Sequence, residues 1–354
     1  MKYLLYLGLA FVFFANSCNT GENDNNQQLD AKVLKINETT YFKTLYPKLL
    51  NDVVSSHIIM QIHEGLVKFD TKHMTVIPAI ANSWELEKDT IYTFHLREDA
   101  YFHDNDCFDG GEGRQITAHD FVYTFELLCS KSEGELNFVG LYDNIVGAIE
   151  YFNASETAKP DFGIKGVVAI DDFTLQISLV KPVPIFLALM ANPVSSVLPK
   201  EGIIKYGKDN YVGAGPFYLA EMPQKSEKLI LLKNPKYKRT DVTDVALPHL
   251  DSLIISFVES TQKEISMLEN DELDIVLDLP TEYINRFLES HKGDFESNPP
   301  KYIMEHSGNE ENKFNIKRSY VNGLYFNEMN YIDFSVVNII ESTYFSAKEN
   351  TSKE

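Results

Sequence analysis

The sequence has little positive charge. Its 354 residues include 32 Lys and Arg against 52 Asp and Glu, so the formal net charge is −20 at pH 7. Nucleic-acid binding requires a basic face that meets the phosphates, and this balance argues against such a partner. The apolar fraction of 44% is typical of globular proteins. We interpret the negative charge as an acidic surface of a soluble protein. We infer nothing from it about the molecule that the protein binds.

Long apolar runs are absent after the start of the chain. Tyr3 to Ala15 is apolar but shorter than the roughly 20 residues that a membrane-spanning helix requires. The run follows a lysine and precedes small residues and Cys18, so residues 1–17 are predicted to be a signal peptide. A general signal peptidase could cleave at Ala15-Asn16-Ser17, but the cysteine that follows favours a bacterial lipoprotein, cut before Cys18 and lipidated there. The polar residues 18–30 then contain the lipidated cysteine and a flexible tether.

Catalytic and cofactor motifs are missing. There is no Gly-x-Ser-x-Gly, phosphate loop, His-Glu-x-x-His or dinucleotide fingerprint. The run His103-Asp104-Asn105-Asp106-Cys107 fails as a calcium loop, because Phe108 stands where an oxygen ligand is needed. We therefore predict no enzyme activity, no cofactor and no metal site. A secreted hydrolase is the alternative, and no residue pattern supports it.

Cysteine is scarce. The chain has three cysteines, and two of them, Cys107 and Cys129, lie beyond the predicted leader. An exported chain occupies a compartment that permits disulfides, and two is an even number. The sequence leaves open whether these residues form a bridge or remain two buried free thiols.

Apolar periodicity predicts alternating strands and helices. A helix is expected over Val53–Leu66, with Ser55 or Ser56 as N-cap. Hairpins are expected over 83–96 and 166–179. Capping boxes are predicted to open helices at Thr117 and at Thr261. The order strand, helix, strand over 253–279 suggests a parallel βαβ unit. A chain of this length is too long for one ordinary core, so two or three lobes are expected.

A series of motifs occurs along the chain in a fixed order, and each of them is weak alone. The motifs include Ile62-His63-Glu64-Gly65-Leu66, Thr117-Ala118-His119-Asp120-Phe121, Gly166-Val167-Val168-Ala169-Ile170, Gly213-Ala214-Gly215-Pro216-Phe217 and Glu269-Asn270-Asp271-Glu272-Leu273. In this order they resemble the extracytoplasmic solute-binding proteins of ABC importers, in the family that captures oligopeptides, dipeptides and sometimes nickel. The resemblance runs from about Lys32 to about Phe326 and is closest to the oligopeptide-binding branch.

The resemblance implies an α/β fold of the type II periplasmic-binding-protein kind. Two lobes joined by a hinge close around the ligand, and an extra domain is inserted in lobe one. On this chain lobe one comprises 31–65 and 205–258, the insertion 66–204, and lobe two begins at 259 and runs to 354. Family members continue well past this point, so we expect an incomplete second lobe in a truncated member of the family. The sources considered are a gene fragment, a frameshifted product and an incompletely predicted gene, and a shortened but functional variant is the alternative.

The resemblance also implies a function. We expect the substrate-binding component of an ABC importer, which captures extracytoplasmic oligopeptides by main-chain hydrogen bonds in the interlobe cleft. Another solute (a nickel complex or a cell-wall peptide) and a non-binding remnant are the alternatives. The expected ligand-binding residues are Asn51, Asp52, Val53, Val54, Ser55, Tyr142, Gly213, Ala214 and Gly215.

The expected partners follow from that role. They are a peptide ligand and the permease subunits of the importer, with membrane contact through the lipid anchor only. We expect a monomer in the cell envelope, on the periplasmic or outer-membrane side of a bacterium.

Overall fold

A computed structural model describes residues 32–70, 75–131, 142–220, 222–224, 228–240, 244–306, 313–321 and 324–325. The predicted signal peptide, Cys18 and the tether lie outside these residues. The strands are β1 (Val33–Glu38), β2 (Val67–Phe69), β3 (Val76–Pro78), β4 (Ala81–Glu87), β5 (Ile91–Leu96), β6 (Val167–Asp171), β7 (Thr174–Ser178), β8 (Phe217–Leu219), β9 (Leu229–Lys233), β10 (Ser252–Phe257), β11 (Ile275–Pro280), β12 (Tyr302–His306), β13 (Lys313–Arg318), β14 (Tyr320–Val321) and β15 (Leu324–Tyr325). The α-helices are α1 (Val53–Ile62), α2 (Ala118–Leu128), α3 (Ala148–Ala154), α4 (Phe186–Met190), α5 (Lys200–Tyr206), α6 (Thr261–Glu269), α7 (Thr281–Ser290) and α8 (Lys292–Glu296).

Four strands form the first sheet, in the order β1-β10-β9-β8. β1 and β10 are parallel and end at the same edge, where Glu38 lies opposite Phe257. Side chains alternate between the faces of a strand, so Leu34 and Ile36 of β1 lie on one face. Both are fully buried in one cluster with Ile58 of α1. Burial of a side chain of this size contributes about 1.5–3 kcal/mol, which fixes α1 on the sheet.

The second sheet has the order β4-β5-β7-β6 and consists of two hairpins, as the sequence predicts. β4 and β5 are joined through Lys88 and Asp89, whose φ angles of 52° and 58° suit a tight turn between antiparallel strands. The capping box that opens α2 is also confirmed, with the Thr117 and Asp120 side chains each bonded to the other's backbone amide. α2 packs on this sheet around the second hydrophobic core.

The third sheet has the order β11-β13-β12 and encloses a third core with α6 and α7. The prediction of a βαβ unit over 253–279 is wrong in one respect, because β10 and β11 lie in different sheets. The chain leaves the first sheet after Phe257, passes through 258–260 and begins a new core at α6. A strand-helix-strand pattern therefore marks a crossing between two cores here. The division into lobe one, insertion and lobe two stays a prediction.

Two helix starts differ from the sequence expectation. α1 is capped by Asp52, whose Oδ1 accepts from the amide of Ser55, rather than by Ser55 or Ser56. α6 is capped by Ser260 and not by Thr261. In both cases the residue just before the helix has the extended backbone that an N-cap needs, and the predicted cap already belongs to the first turn of the helix. α1 also ends at Ile62, four residues before the predicted end.

None of the described helices combines the length and apolar character that a membrane crossing requires.

Candidate functional site

The parallel strands β1 and β10 end at one edge of the first sheet. In open α/β sheets, ligands bind in the crevice outside the carboxyl ends of the strands. We call residues 37–44, 52–57 and 257–264 the carboxyl edge. Side chains from the N-terminal halves of two helices meet the end of β1 there, since His57 of α1 contacts Glu38 and Glu264 of α6 contacts Asn37. The carboxyl edge is therefore the candidate ligand site.

The Asn37 side chain joins β1 to the segment that follows β10. Its Nδ2 donates to the carbonyl oxygen of Val258 at 2.9 Å, and its Oδ1 accepts from the Val258 amide at 2.8 Å. Nδ2 also donates to Oε1 of Glu264 at 3.0 Å. A primary amide offers two N–H donors and an oxygen acceptor, and all three groups are used. The Asn37 side chain thus holds the residues after β10 against β1, because it bonds both the N–H and the C=O of Val258, as a neighbouring strand would.

Two carboxyl groups lie behind this edge. Glu264 is only 4% exposed, and burial raises its pKa to about 7, with nearby Glu38 adding to the rise and the Asn37 amide opposing it. Nδ1 of His57 lies 2.6 Å from Oε1 of Glu38, and both side chains are buried. The carboxyl edge therefore contains a buried acid that titrates near neutral pH.

An aromatic shelf forms the outer part of the edge. It consists of Tyr41, Phe42 and Phe257, which are all half-buried. The ring centroid of Tyr41 lies 4.4 Å from that of Phe42 and 4.6 Å from that of Phe257. The chain then continues to α1, since the amides of residues 43 and 44 donate to Oγ of Ser55 at 2.9 and 3.1 Å. Such a shelf offers apolar area beside hydrogen-bonding groups, the usual composition of a ligand pocket.

The predicted segment 51–55 lies at this edge, but its residues differ in exposure. Asn51 is exposed, Asp52 and Val53 are half-buried, and Val54 and Ser55 are buried. Oδ1 of Asp52 caps α1, whereas Oδ2 is buried and accepts no hydrogen bond from any residue that the structure describes. An unpartnered carboxylate oxygen is costly to bury, so Asp52 has acceptor capacity left for a ligand donor.

The predicted turn Gly213-Ala214-Gly215 lies elsewhere. The Gly215 amide donates to Ile62 at the far end of α1, about 15 Å along a helix of this length. Its carbonyl oxygen accepts from His103 Nε2 at 3.0 Å and from Asn234 Nδ2 at 2.9 Å. A Cβ on either glycine would collide with the α1 backbone. The structure thus uses the turn to join α1 to its neighbours and does not bring it to the carboxyl edge.

Tyr142 also lies away from the edge. It is 0% exposed, its hydroxyl hydrogen-bonds with Oγ of Ser195 at 2.9 Å, and its ring packs edge-on against Phe125. Burial raises the pKa of its phenol. In this conformation Tyr142 belongs to the second core and presents no surface to a ligand.

Cys107 and Cys129 are free thiols in the structure. Cys129 is buried in the second core, and Cys107 is half-buried against that core. Burial raises the pKa of Cys107 to about 11 and that of Cys129 further, so neither thiol is poised to react.

An open groove of about 420 Å³ lies between α2 and α5. Arg114 lines this groove, and its guanidinium already forms ion pairs with two carboxylates. Nη2 lies 2.7 Å from Oδ1 of Asp120, and Nε lies 2.8 Å from Oε1 of Glu201. None of its lining residues belongs to the carboxyl edge. We therefore place the candidate site at the carboxyl edge. Ligands of α/β sheets bind at the carboxyl ends of the strands, and Oδ2 of Asp52 lies there without a partner among the described residues. Among the described residues, no group of three or more His, Cys, Asp and Glu side chains is arranged to hold a metal ion.

Residue patterns in the sequence missed Asn37, Glu38, Tyr41, His57 and Glu264. One signal could have located the first two, because they end the predicted opening strand and the carboxyl ends of parallel strands carry ligand sites. The others depend on contacts between residues far apart in the chain.

Comparisons with known proteins agree with the architecture. A family model described as bacterial extracellular solute-binding proteins, family 5 Middle, matches residues 75–331. The periplasmic oligopeptide-binding protein OppA of Salmonella typhimurium is 28% identical over 281 residues, which are 76% of this chain and 49% of OppA. The dipeptide-binding protein DppE of Bacillus subtilis is 28% identical over 297 residues, 80% of this chain and 51% of DppE.

A solved structure is similar as well. The chain superposes on a periplasmic oligopeptide-binding protein/oligopeptide ABC transporter from Borrelia burgdorferi with a TM-score of 0.63 and 30% identity, covering 77% of this chain and 51% of that one. The predicted α/β fold of the periplasmic-binding-protein kind is thereby confirmed. The chain spans about half the length of the curated relatives it matches.

Proposed function

The chain belongs to the bacterial extracellular solute-binding proteins of family 5, and from this premise we propose that it serves an ABC importer by capturing extracytoplasmic oligopeptides. Two relatives carry the names oligopeptide-binding and dipeptide-binding protein, which supports a peptide over other solutes. Because the chain corresponds to about half of these relatives, the binding activity of a whole family member is itself part of the proposal.

The carboxyl edge carries the proposal. The ligand main chain runs along residues 39–42 and 51–55, held by strand-like hydrogen bonds that leave its side chains free to vary. The Oδ2 atom of Asp52, which lacks a partner among the described residues, takes the peptide amine. A charge-assisted hydrogen bond of this kind is among the stronger single contacts in a binding site. The aromatic shelf takes an adjacent side chain.

A matched pair of ligands and one variant test this assignment. Short peptides of mixed sequence are titrated into the chain, with the dissociation constant measured by calorimetry and the melting temperature recorded in parallel. Ligand at 100 times Kd stabilises the fold by about 2.7 kcal/mol, which a thermal scan detects. Asp52→Asn keeps the Oδ1 acceptor that caps α1 but removes the charge, so peptides with a free amine should bind about 10-fold more weakly. N-acetylated peptides should bind the variant and the parent equally.

Two outcomes contradict the proposal. One is the absence of any heat of binding or thermal shift with every peptide. The other is an Asp52→Asn variant that binds free-amine peptides as tightly as the parent. Mass spectrometry of co-purified ligand identifies the occupant if it is a cell-wall peptide, and metal analysis does so if it is a nickel complex.

The membrane attachment is a second part of the proposal. We propose that Cys18 is lipidated after removal of residues 1–17, that lipid is the only contact with the membrane, and that the protein acts as a monomer beside the importer permease on the outer side of the membrane. Labelling with a radioactive fatty acid should mark the parent chain and leave Cys18→Ala unlabelled. Equal labelling of both, or none in the parent, contradicts lipidation.

A further inference from the structure

The segment 258–260 connects two hydrophobic cores. It begins after Phe257, the last residue of β10 in the first sheet, and ends at α6. Ile265 and Leu268 of α6 are buried in the core of the third sheet. Among the described residues, β1 is joined to the third sheet at two places. One is Asp274, just before β11, whose amide and carboxylate pair with the backbone of Lys35. The other is α6, so a side chain that fixes α6 to β1 contributes to the geometry of the crossing.

Glu264 is such a side chain. Its Oε1 accepts from Nδ2 of Asn37 on β1 at 3.0 Å, and the same amide pairs with both backbone groups of Val258. One amide thus holds the crossing segment and the first turns of α6 together. Glu264 is 4% exposed, so water does not replace the contact while α6 keeps this position.

The charges around Glu264 disfavour its ionised form. Glu38 faces it from β1, and beyond Glu38 lies His57 of α1, with Nδ1 2.6 Å from the Glu38 carboxylate. Asp274, just before β11, accepts from the backbone amide of Lys35 on β1. Burial raises the pKa of Glu264 to about 7, and the Glu38 charge adds to this rise. When Glu264 is ionised, it adds a second negative charge to a buried site that already contains Glu38. His57 pairs with Glu38 and does not compensate this second charge.

We propose that Glu264 is a protonation-controlled latch on the crossing at 258–260. In the neutral form it stays buried against β1 at little cost and holds α6 there through Asn37. In the ionised form the cost of burying the charge beside Glu38 exceeds the gain from a stronger hydrogen bond to Asn37. The carboxylate then gains hydration by moving α6 away from β1, so the crossing loosens as the pH rises. Glu264 is a positioning residue in this scheme, because it acts through the orientation of α6. The consequence that peptide capture varies with pH rests on the proposed function, but the latch itself does not.

Hydrogen exchange of the ligand-free chain tests the latch. Amide exchange in peptides covering 255–270 is measured by mass spectrometry at pH 5.5 and pH 8.0, with the intrinsic chemical rate divided out. A shift of the carboxyl pKa from about 4.5 to about 7 predicts that opening increases about 30-fold over this range in the parent chain. Glu264→Gln, which keeps an oxygen acceptor without a titrating proton, should show no such increase.

The matched control is Glu272→Gln, an exposed carboxylate just after α6, which should follow the parent chain at both pH values. If Glu264→Gln does not fold, Glu264→Met replaces it. The pH dependence of exchange in the parent chain tests the latch even without a variant. Equal exchange at both pH values in the parent overturns the latch, and so does an unchanged pH response in Glu264→Gln. Since the readout uses no ligand, such a result leaves the proposed function untouched, whereas a lack of peptide binding at every pH contradicts that function alone.

Discussion

The Asn37 amide donates to Oε1 of Glu264 at 3.0 Å across 227 positions of sequence. The burial of Glu264 at this contact predicts a pH dependence of global stability, because burial raises the pKa of the carboxyl group more than the Asn37 amide lowers it. The pKa of Glu264 is raised in the folded chain to about 7, above the unfolded value of about 4.5, so its favourable contribution is complete below about pH 4.5 and is lost as the pH rises through 7. The parent chain should lose about 2–3 kcal/mol from this group between pH 5 and pH 8.

Urea unfolding of the parent chain and of Glu264→Gln at a series of pH values measures this loss. The variant should be the more stable of the two at pH 8, and the difference between them should shrink towards pH 5. Titrating groups that do not interact with Glu264 contribute equally to both curves and cancel in the difference. A difference that does not change with pH contradicts the assignment.

Asp120 is the centre of a second prediction. It accepts from the amide of Thr117 at 2.9 Å and from two nitrogens of Arg114 at 2.7 and 2.9 Å, and it is buried. Asp120→Ala removes the Asp120 half of the capping box and one of the two carboxylates that Arg114 pairs with, so the free energy of unfolding should fall by about 2–3 kcal/mol. Chemical denaturation measures the change.

The control for Asp120 is an exposed carboxylate of the same region. Asp172 lies 3.6 Å from His119, and both side chains are largely in solvent. Exposed ion pairs contribute little, so Asp172→Ala should change stability by less than about 0.5 kcal/mol. Similar losses in the two variants would show that burial and capping at Asp120 do not matter.

Local patterns in the sequence predicted local structure well. The hairpins at 83–96 and 166–179 were predictable because alternating apolar residues and turn residues lie within a few positions of each other. The capping box at Thr117 was predictable for the same reason. The same motif failed at Thr261, where Glu264 turns inward to Asn37 and does not reach back to the helix start. A partner 227 positions away overrides a local motif.

The order of motifs predicted the family and the fold, while the candidate site was predicted only in part. Segment 51–55 lies at the carboxyl edge, but the turn at Gly213-Ala214-Gly215 and Tyr142 do not. Glycine in such a turn can serve a ligand or a close backbone approach, and only the three-dimensional contact with Ile62 distinguishes the two. An aromatic residue likewise fits a pocket or a core equally well by composition.

The close approach at Gly215 gives a third prediction. A Cβ there would meet the backbone of Gln61 and Ile62, which cannot move without displacing α1. Gly215→Ala should therefore destabilise the fold by about 3 kcal/mol, near the upper end of the cost of overpacking. A Cβ on Gly293 in α8 would meet no atom within 4 Å, so Gly293→Ala should stabilise slightly, by about 0.5 kcal/mol. Melting temperatures of the two variants should move in opposite directions, and a shared direction contradicts the packing argument.

The aromatic shelf gives the last prediction, which rests on the proposed function. The ring centroids of Tyr41 and Phe257 lie 4.6 Å apart at the end of β10, and an aromatic or large apolar ligand side chain can stack on them. Tyr41→Ala should weaken binding of peptides rich in Phe or Trp by about 10-fold, from the lost apolar area and ring contact. Tyr41→Phe keeps the ring and should bind them almost as tightly as the parent. Calorimetric titration of both variants with Phe-containing and Ala-containing peptides of equal length decides the matter. Equal losses for the two peptides in Tyr41→Ala mean that the shelf supports the fold of the edge and does not contact a ligand side chain.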